Sequence, residues 1–185
     1  MGKAYSKLFT GVLFTVININ IGPIDILPNF IGYIIILNGL SILHTETSIK
    51  DYKHSSFICY FLLIESIVSM CLPNYLNIEY LTTTSVGWMV ISNLAQLFFV
   101  YFTYTASIEL LGQSSNSELS ETLKSGRSGY VYTMMVIIMI YTFLPNLSAD
   151  IRTMVIIGCI VVGFIMLINF LVNLNRLKKY FLAAI

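Results

Sequence analysis

Glu65 is the residue of this chain best placed to do chemistry. It lies inside an apolar run, Phe61-Leu62-Leu63-Ile64-Glu65-Ser66, with Ser69 four residues on. A carboxylate at mid-bilayer costs roughly 2.5–3.5 kcal/mol on insertion scales, so it must face protein and find a partner. A second apolar run supplies amides and hydroxyls at helical spacing. Asn93, Gln96, Thr103 and Ser107 share one helical face, with Val100 in the gap. If the two runs are antiparallel, Glu65 and Gln96 fall within about one turn of each other in depth. The expected site is a buried cluster of Glu65 with Gln96 and Asn93. Such a cluster suits a small ligand, a proton or a cation. It equally suits interhelical hydrogen bonding with Glu65 protonated, because polar side chains commonly hold membrane helices together. Asp25 is the fourth candidate. It sits in Gly22-Pro23-Ile24-Asp25-Ile26-Leu27-Pro28, where two prolines force a break. As part of an outer turn it caps a helix or faces water; in a re-entrant segment it becomes a site residue.

Other chemistry has little to stand on. The chain has no H-E-x-x-H, no G-x-S-x-G and no Walker A loop. Cys59, Cys71 and Cys159 all sit in apolar runs without a C-x-x-C pair, and read as small buried hydrophobes. His44 and His54 have no nucleophile at a recognised spacing and read as loop residues. No metal and no cofactor are expected, and the residues favour recognition over catalysis.

The elements that must hold these residues are membrane helices. Of 185 residues, 57% are hydrophobic and 10% charged, with mean hydropathy +0.82. A soluble domain carries roughly 25% charged residues, so this chain lacks the polar surface to coat a water-soluble globule. A formal net charge of +1 argues against a nucleic-acid surface, which needs a basic patch. The expected fold is all-α: a polytopic membrane protein with spans at about 5–21, 29–43, 56–72, 86–111, 129–144 and 151–174. On that reading Lys3, Lys7, Lys50, Lys53, Lys124, Arg127, Arg176, Lys178 and Lys179 lie on one side, and only Arg152 on the other. Loops rich in Lys and Arg stay cytoplasmic, which puts both termini inside.

The first two spans are short against the roughly 20 residues a crossing needs, so a re-entrant hairpin over 5–43 is the alternative. Leu27-Pro28-Asn29, Leu72-Pro73-Asn74 and Leu144-Pro145-Asn146 fall at the three outer turns and suggest three helical hairpins. A polar inner loop is expected around Glu46, Lys50, Asp51, Lys53 and His54. A second runs over 112–128, with a short helix there opening at Asn116 or Ser117 and stopping at Gly126. Tyr180-Phe181-Leu182 reads as an amphipathic tail at the inner interface. Gly32 and Gly39 are expected to permit close helix contact, and Gly11 with Thr15 makes a small-residue pair on span one. The tyrosines and methionines are assigned to interfaces and packing.

The segment Asn18-Ile-Asn-Ile-Gly-Pro-Ile-Asp25-Ile-Leu-Pro28-Asn-Phe-Ile-Gly32-Tyr33 resembles the opening of a group of small multi-spanning bacterial membrane proteins sharing Asp-x-Leu-Pro-x-x-Ile-Gly-Tyr. That resemblance implies the bacterial cytoplasmic membrane and no particular activity. In size and topology the chain also resembles the substrate-binding membrane subunits of energy-coupling-factor vitamin transporters. Their alanine-rich docking motif on the first helix is missing here, unless Gly11 and Thr15 stand in for it.

The expected function is that of a non-enzymatic membrane subunit that recognises a small solute within the bundle or serves a larger transporter. A transporter partner would dock on 112–128 or on the first hairpin. One alternative is a regulatory, immunity or assembly protein acting through helix contacts, with Glu65 as glue. The other is a membrane-embedded enzyme on lipid or peptide, with Glu65 or Asp25 as an acid.

Overall fold

The computed structural model describes residues 1–16, 20–21, 24–25, 29–71, 83–112 and 117–183. Helix α1 (Gly2–Val16) leads into a two-residue antiparallel ladder, β1 (Asn20–Ile21) with β2 (Ile24–Asp25). Helices α2 (Asn29–Thr47), α3 (Lys50–Cys71), α4 (Thr83–Gly112) and α5 (Ser117–Phe143) follow. A 3-10 turn over Leu144–Asn146 then leads to α6 (Ala149–Ala183). Each helix packs on the next in chain order, and α6 returns to α1, so the six helices close into a ring.

Among the described residues, four stretches are long and apolar enough to cross a membrane: Asn29–Thr47, Val86–Gly112, Ser117–Asn146 and Ala149–Ala183. Helix α1 falls short because its 15 residues reach only about 22 Å. Helix α3 opens with Lys50, Asp51 and Lys53 and carries Glu65, which lowers its hydropathy. The outward faces are apolar: Phe57, Tyr132, Met139 and Met154 are all strongly exposed. Lipid is the solvent that such a surface fits.

The helices overrun the apolar segments that announce them. The expected inner loop at 44–55 is mostly helix, with α2 and α3 separated by Ser48 and Ile49 alone. Ser48 adopts φ 58°, the left-handed conformation that ends a helix. Its N–H donates to the His44 carbonyl at 2.8 Å, and His44 Nδ1 donates to the Ile49 carbonyl at 3.0 Å. The short helix expected over 117–126 is in fact the start of α5, which runs straight through Gly126. The tail Tyr180-Phe181-Leu182 is part of α6, which is continuous to Ala183. Hydropathy marks where lipid ends, and a helix continues into water wherever one face still packs on protein. Ile49, Tyr52 and Ser55 on α3, and Leu177 and Phe181 on α6, are such buried faces.

Of the three expected Leu-Pro-Asn turns, the third is the 3-10 turn; residues 27–28 and 72–74 of the others lie outside the described residues. Arg152, the exception to the charge pattern, donates through Nε to the Leu144 carbonyl at 3.2 Å and through Nη2 to the Leu147 carbonyl at 2.9 Å. It caps that turn, which is a structural reason for a cation on this side.

Glycine brings α1 and α2 together, as the sequence suggests for Gly32 and Gly39. A Cβ on Gly32 would stand 2.7 Å from the Gly11 carbonyl oxygen, and one on Gly39 2.9 Å from the Ala4 carbonyl oxygen. Both obstacles are backbone and cannot rotate away. Gly32→Ala is expected to cost about 1–3 kcal/mol through overpacking. Gly87→Ala, where a Cβ meets nothing within 4 Å, should cost nothing. Thermal unfolding in detergent, read side by side, checks both.

Candidate functional site

Glu65 does find its partner on α4, one residue from where the sequence places it. The Ser92 hydroxyl lies 2.6 Å from Glu65 Oε1 and 3.0 Å from the Trp88 carbonyl. Asn93 instead donates from Nδ2 to the Met89 carbonyl of its own helix at 2.7 Å. The polar face of α4 is thus divided. Ser92, Thr103 and Ser107 turn to α3 and α1, whereas Asn93 and Gln96 turn to α5 and α6. A helix rotates by about 100° per residue, so a one-residue step from Ser92 to Asn93 is enough to change neighbours.

Asn93 and Gln96 line a hollow of about 210 Å³ bounded by α4, α5 and α6. Tyr130, Met134 and Tyr141 form the α5 wall; Cys159, Ile160 and Gly163 are on α6. Tyr130 is 2% exposed and its hydroxyl has no hydrogen-bond partner among the described residues. Gln96 makes no hydrogen bond among the described residues. Buried polar groups are nearly always paired, and an unmade hydrogen bond costs about 1–3 kcal/mol. Asp25 belongs to β2, in register with Asn20.

Sequence reasoning missed Ser92 and Tyr130. It also missed a second polar centre, because tyrosine was assigned to interfaces and packing. Tyr5, Tyr52, Tyr104 and Tyr130 are in fact buried. Tyr5 Oη lies 2.7 Å from Tyr52 Oη and donates to Ser107 Oγ at 3.0 Å. One turn further along α4, Ser55 Oγ and Thr103 Oγ1 are 2.7 Å apart. A signal for this centre was available: Tyr52, Ser55, Cys59 and Leu62 recur at helical spacing, and all four are buried.

Cys59 and Cys159 are free and buried. His44 is engaged by the Ile49 carbonyl and His54 by Asp51 at 3.3 Å. Among the described residues no group of three His, Cys, Asp or Glu side chains could hold a metal. The Gly11–Thr15 pair faces α2, where Thr15 Cγ2 lies 2.7 Å from the position of a Gly32 Cβ, so it is spent inside the fold. The expected docking loop reduces to residues 113–116, outside the described residues, followed by the first turns of α5.

No protein-family model matches this chain, and neither does any curated protein or solved structure. The likeness over Asn18–Tyr33 thus rests on those residues, several of which lie outside the described set.

The Tyr5 hydroxyl is a strong test of the buried centre. Tyr5→Phe keeps the ring but leaves Tyr52 and Ser107 short of a partner. It is expected to destabilise the fold by about 1–3 kcal/mol, measured as a drop in detergent melting temperature. The same change at exposed Tyr132 should have no effect.

Proposed function

We propose that this protein is an integral membrane protein of six helices that recognises a small polar solute inside its bundle, alone or as the binding subunit of a larger transporter. One observation carries the reading: Tyr130, whose buried hydroxyl has no hydrogen-bond partner among the described residues, lines the same hollow as the unpaired Gln96 amide. Membrane-buried polar groups left without protein partners are costly unless something else satisfies them. A hollow of about 210 Å³ lies below the 300–1,000 Å³ of drug-sized sites, so the solute is small. Amide and phenol groups offer both donors and acceptors, which suits a neutral polar or zwitterionic molecule better than a bare ion.

The reading includes the orientation expected from the basic residues, with both termini and the α2–α3 turn on the cytoplasmic side of a bacterial inner membrane. A fluorescent-protein fusion at the C-terminus should fluoresce, and alkaline phosphatase fused after Asn146 should be active. Reversal of both would overturn the orientation.

Solute binding is tested by purification in mild detergent followed by mass spectrometry of retained small molecules. Wild type should retain a molecule that Gln96→Leu holds at least about tenfold less well, the loss of one to two hydrogen bonds. Equal retention by both, or none by either, would overturn the reading. A stoichiometric membrane partner with no small molecule would make this an interaction subunit.

A further inference from the structure

We propose that the seam between α5 and α6 is a groove for one anionic lipid, with its phosphate head group at the Arg176 end and an acyl chain lying along the other end. The seam holds two clefts in line. The first, of about 770 Å³, is polar and is lined by Ser125 and Gly129 on α5 and by Asn169, Asn173 and Arg176 on α6. The second, of about 510 Å³, is apolar and is lined by Val136 and Ile140 on α5 and by Val155, Gly158 and Val162 on α6. On α5 the lining positions recur every three or four residues through both clefts, so they form one stripe. The matching stripe on α6 runs from Arg176 back to Val155. Val162, the near end of the apolar cleft, lies about 10 Å along α6 from Asn169, and Val155, its far end, about 21 Å, against roughly 15 Å for one leaflet of hydrocarbon. An acyl chain whose head group sits at the polar end therefore reaches the near half of the apolar cleft.

The polar end is built from donors. Arg176 forms no ion pair among the described residues, and no carboxylate lines the cleft. Asn169 accepts the Asn173 amide through Oδ1 at 3.0 Å, and its own Nδ2 has no partner among the described residues. The exposed Ser125 hydroxyl has no partner among the described residues. A guanidinium with an amide and a hydroxyl beside it is the donor set that a phosphate takes. The rim decides the source of that phosphate: Ile165, Ile168 and Val172 are all exposed, so the cleft opens through an apolar border. A head group already in the membrane meets no barrier there. Space for the chain is present as well, since a Cβ on Gly129 or on Gly158 would meet nothing within 4 Å.

The test is native mass spectrometry of the full chain from nanodiscs of equimolar phosphatidylglycerol and phosphatidylcholine. Wild type, Arg176→Gln, Ser125→Asp and Gly158→Leu are compared, with inorganic phosphate titrated separately in detergent. One phosphatidylglycerol per protein is expected, in preference to phosphatidylcholine. Arg176→Gln and Ser125→Asp should each weaken it about tenfold or more. Gly158→Leu, which fills the apolar cleft, should displace it. Equal retention of both lipids with no effect of Arg176→Gln would overturn the proposal. Tight binding of inorganic phosphate, unaffected by Gly158→Leu, would also overturn it and make the cleft a site for a soluble anion. Arg176, Ser125 and Gly158 are exposed or face open space, so folding is expected to survive; a variant that loses the wild-type circular dichroism is replaced by Val162→Phe, which blocks the same apolar cleft. The inference rests on the membrane assignment but not on the solute hollow, whose own test changes Gln96, a residue outside this groove.

Discussion

Tyr5 is the point on which the closed ring depends. Its ring stacks on Phe181 of α6 at a centroid distance of 5.4 Å, with the planes within 5°. Its hydroxyl reaches Tyr52 of α3 and Ser107 of α4. It rides on α1, so one side chain joins four of the six helices. In lipid there is no hydrophobic drive between apolar helices; association comes from close packing and from hydrogen bonds. A fully buried tyrosine supplies both. The N-terminal ammonium, 2.7 Å from Glu46 Oε2, fixes the start of the same helix against α2.

Around that point the bundle is unequal. On one side, glycines let α1 and α2 approach until backbone meets backbone. On the other, the glycines of α5 and α6 do the opposite. Gly129 and Gly158 face open space, and Gly163 nearly so, with Ile137 Cδ1 4.0 Å from its Cβ position. The same residue type thus closes one seam and opens another, because what matters is whether the neighbour comes in to use the room. Gly126 is intermediate: a Cβ there would stand 2.7 Å from Asn173 Nδ2 and 3.0 Å from the Tyr104 hydroxyl. It admits the pair that joins α4 to α6, where Asn173 donates to Tyr104 at 2.9 Å.

This inequality separates the polar groups by role. Those in the tight half, Tyr5, Tyr52, Ser55, Thr103 and Ser107, satisfy one another and act as cement. Those beside the loose half, Gln96 and Tyr130, do not. A buried hydroxyl without a hydrogen-bond partner among the described residues, on a residue that lines an open hollow, is the observation on which the proposed solute site rests.

The sequence by itself determined the class of the molecule. Composition required a nonaqueous solvent, periodicity required helices, and the glycine spacing on α2 foretold its close contact. It also found Glu65 and the helix that would answer it, since a carboxylate in an apolar run must be met. Tertiary structure decided which side chain answers. Ser92 rather than Asn93 faces Glu65, because rotation about a helix axis is set by packing on every neighbour at once and a single residue shifts it by about 100°. Helix ends were likewise hidden: Tyr52 and Phe181 lie past the apolar segments yet are buried by partners far away in the chain. Tyr130 was the least legible. Phenol is at home in lipid, at interfaces and in cores alike, and only the want of a hydrogen-bond partner among the described residues, a property of the assembled bundle, marks it out.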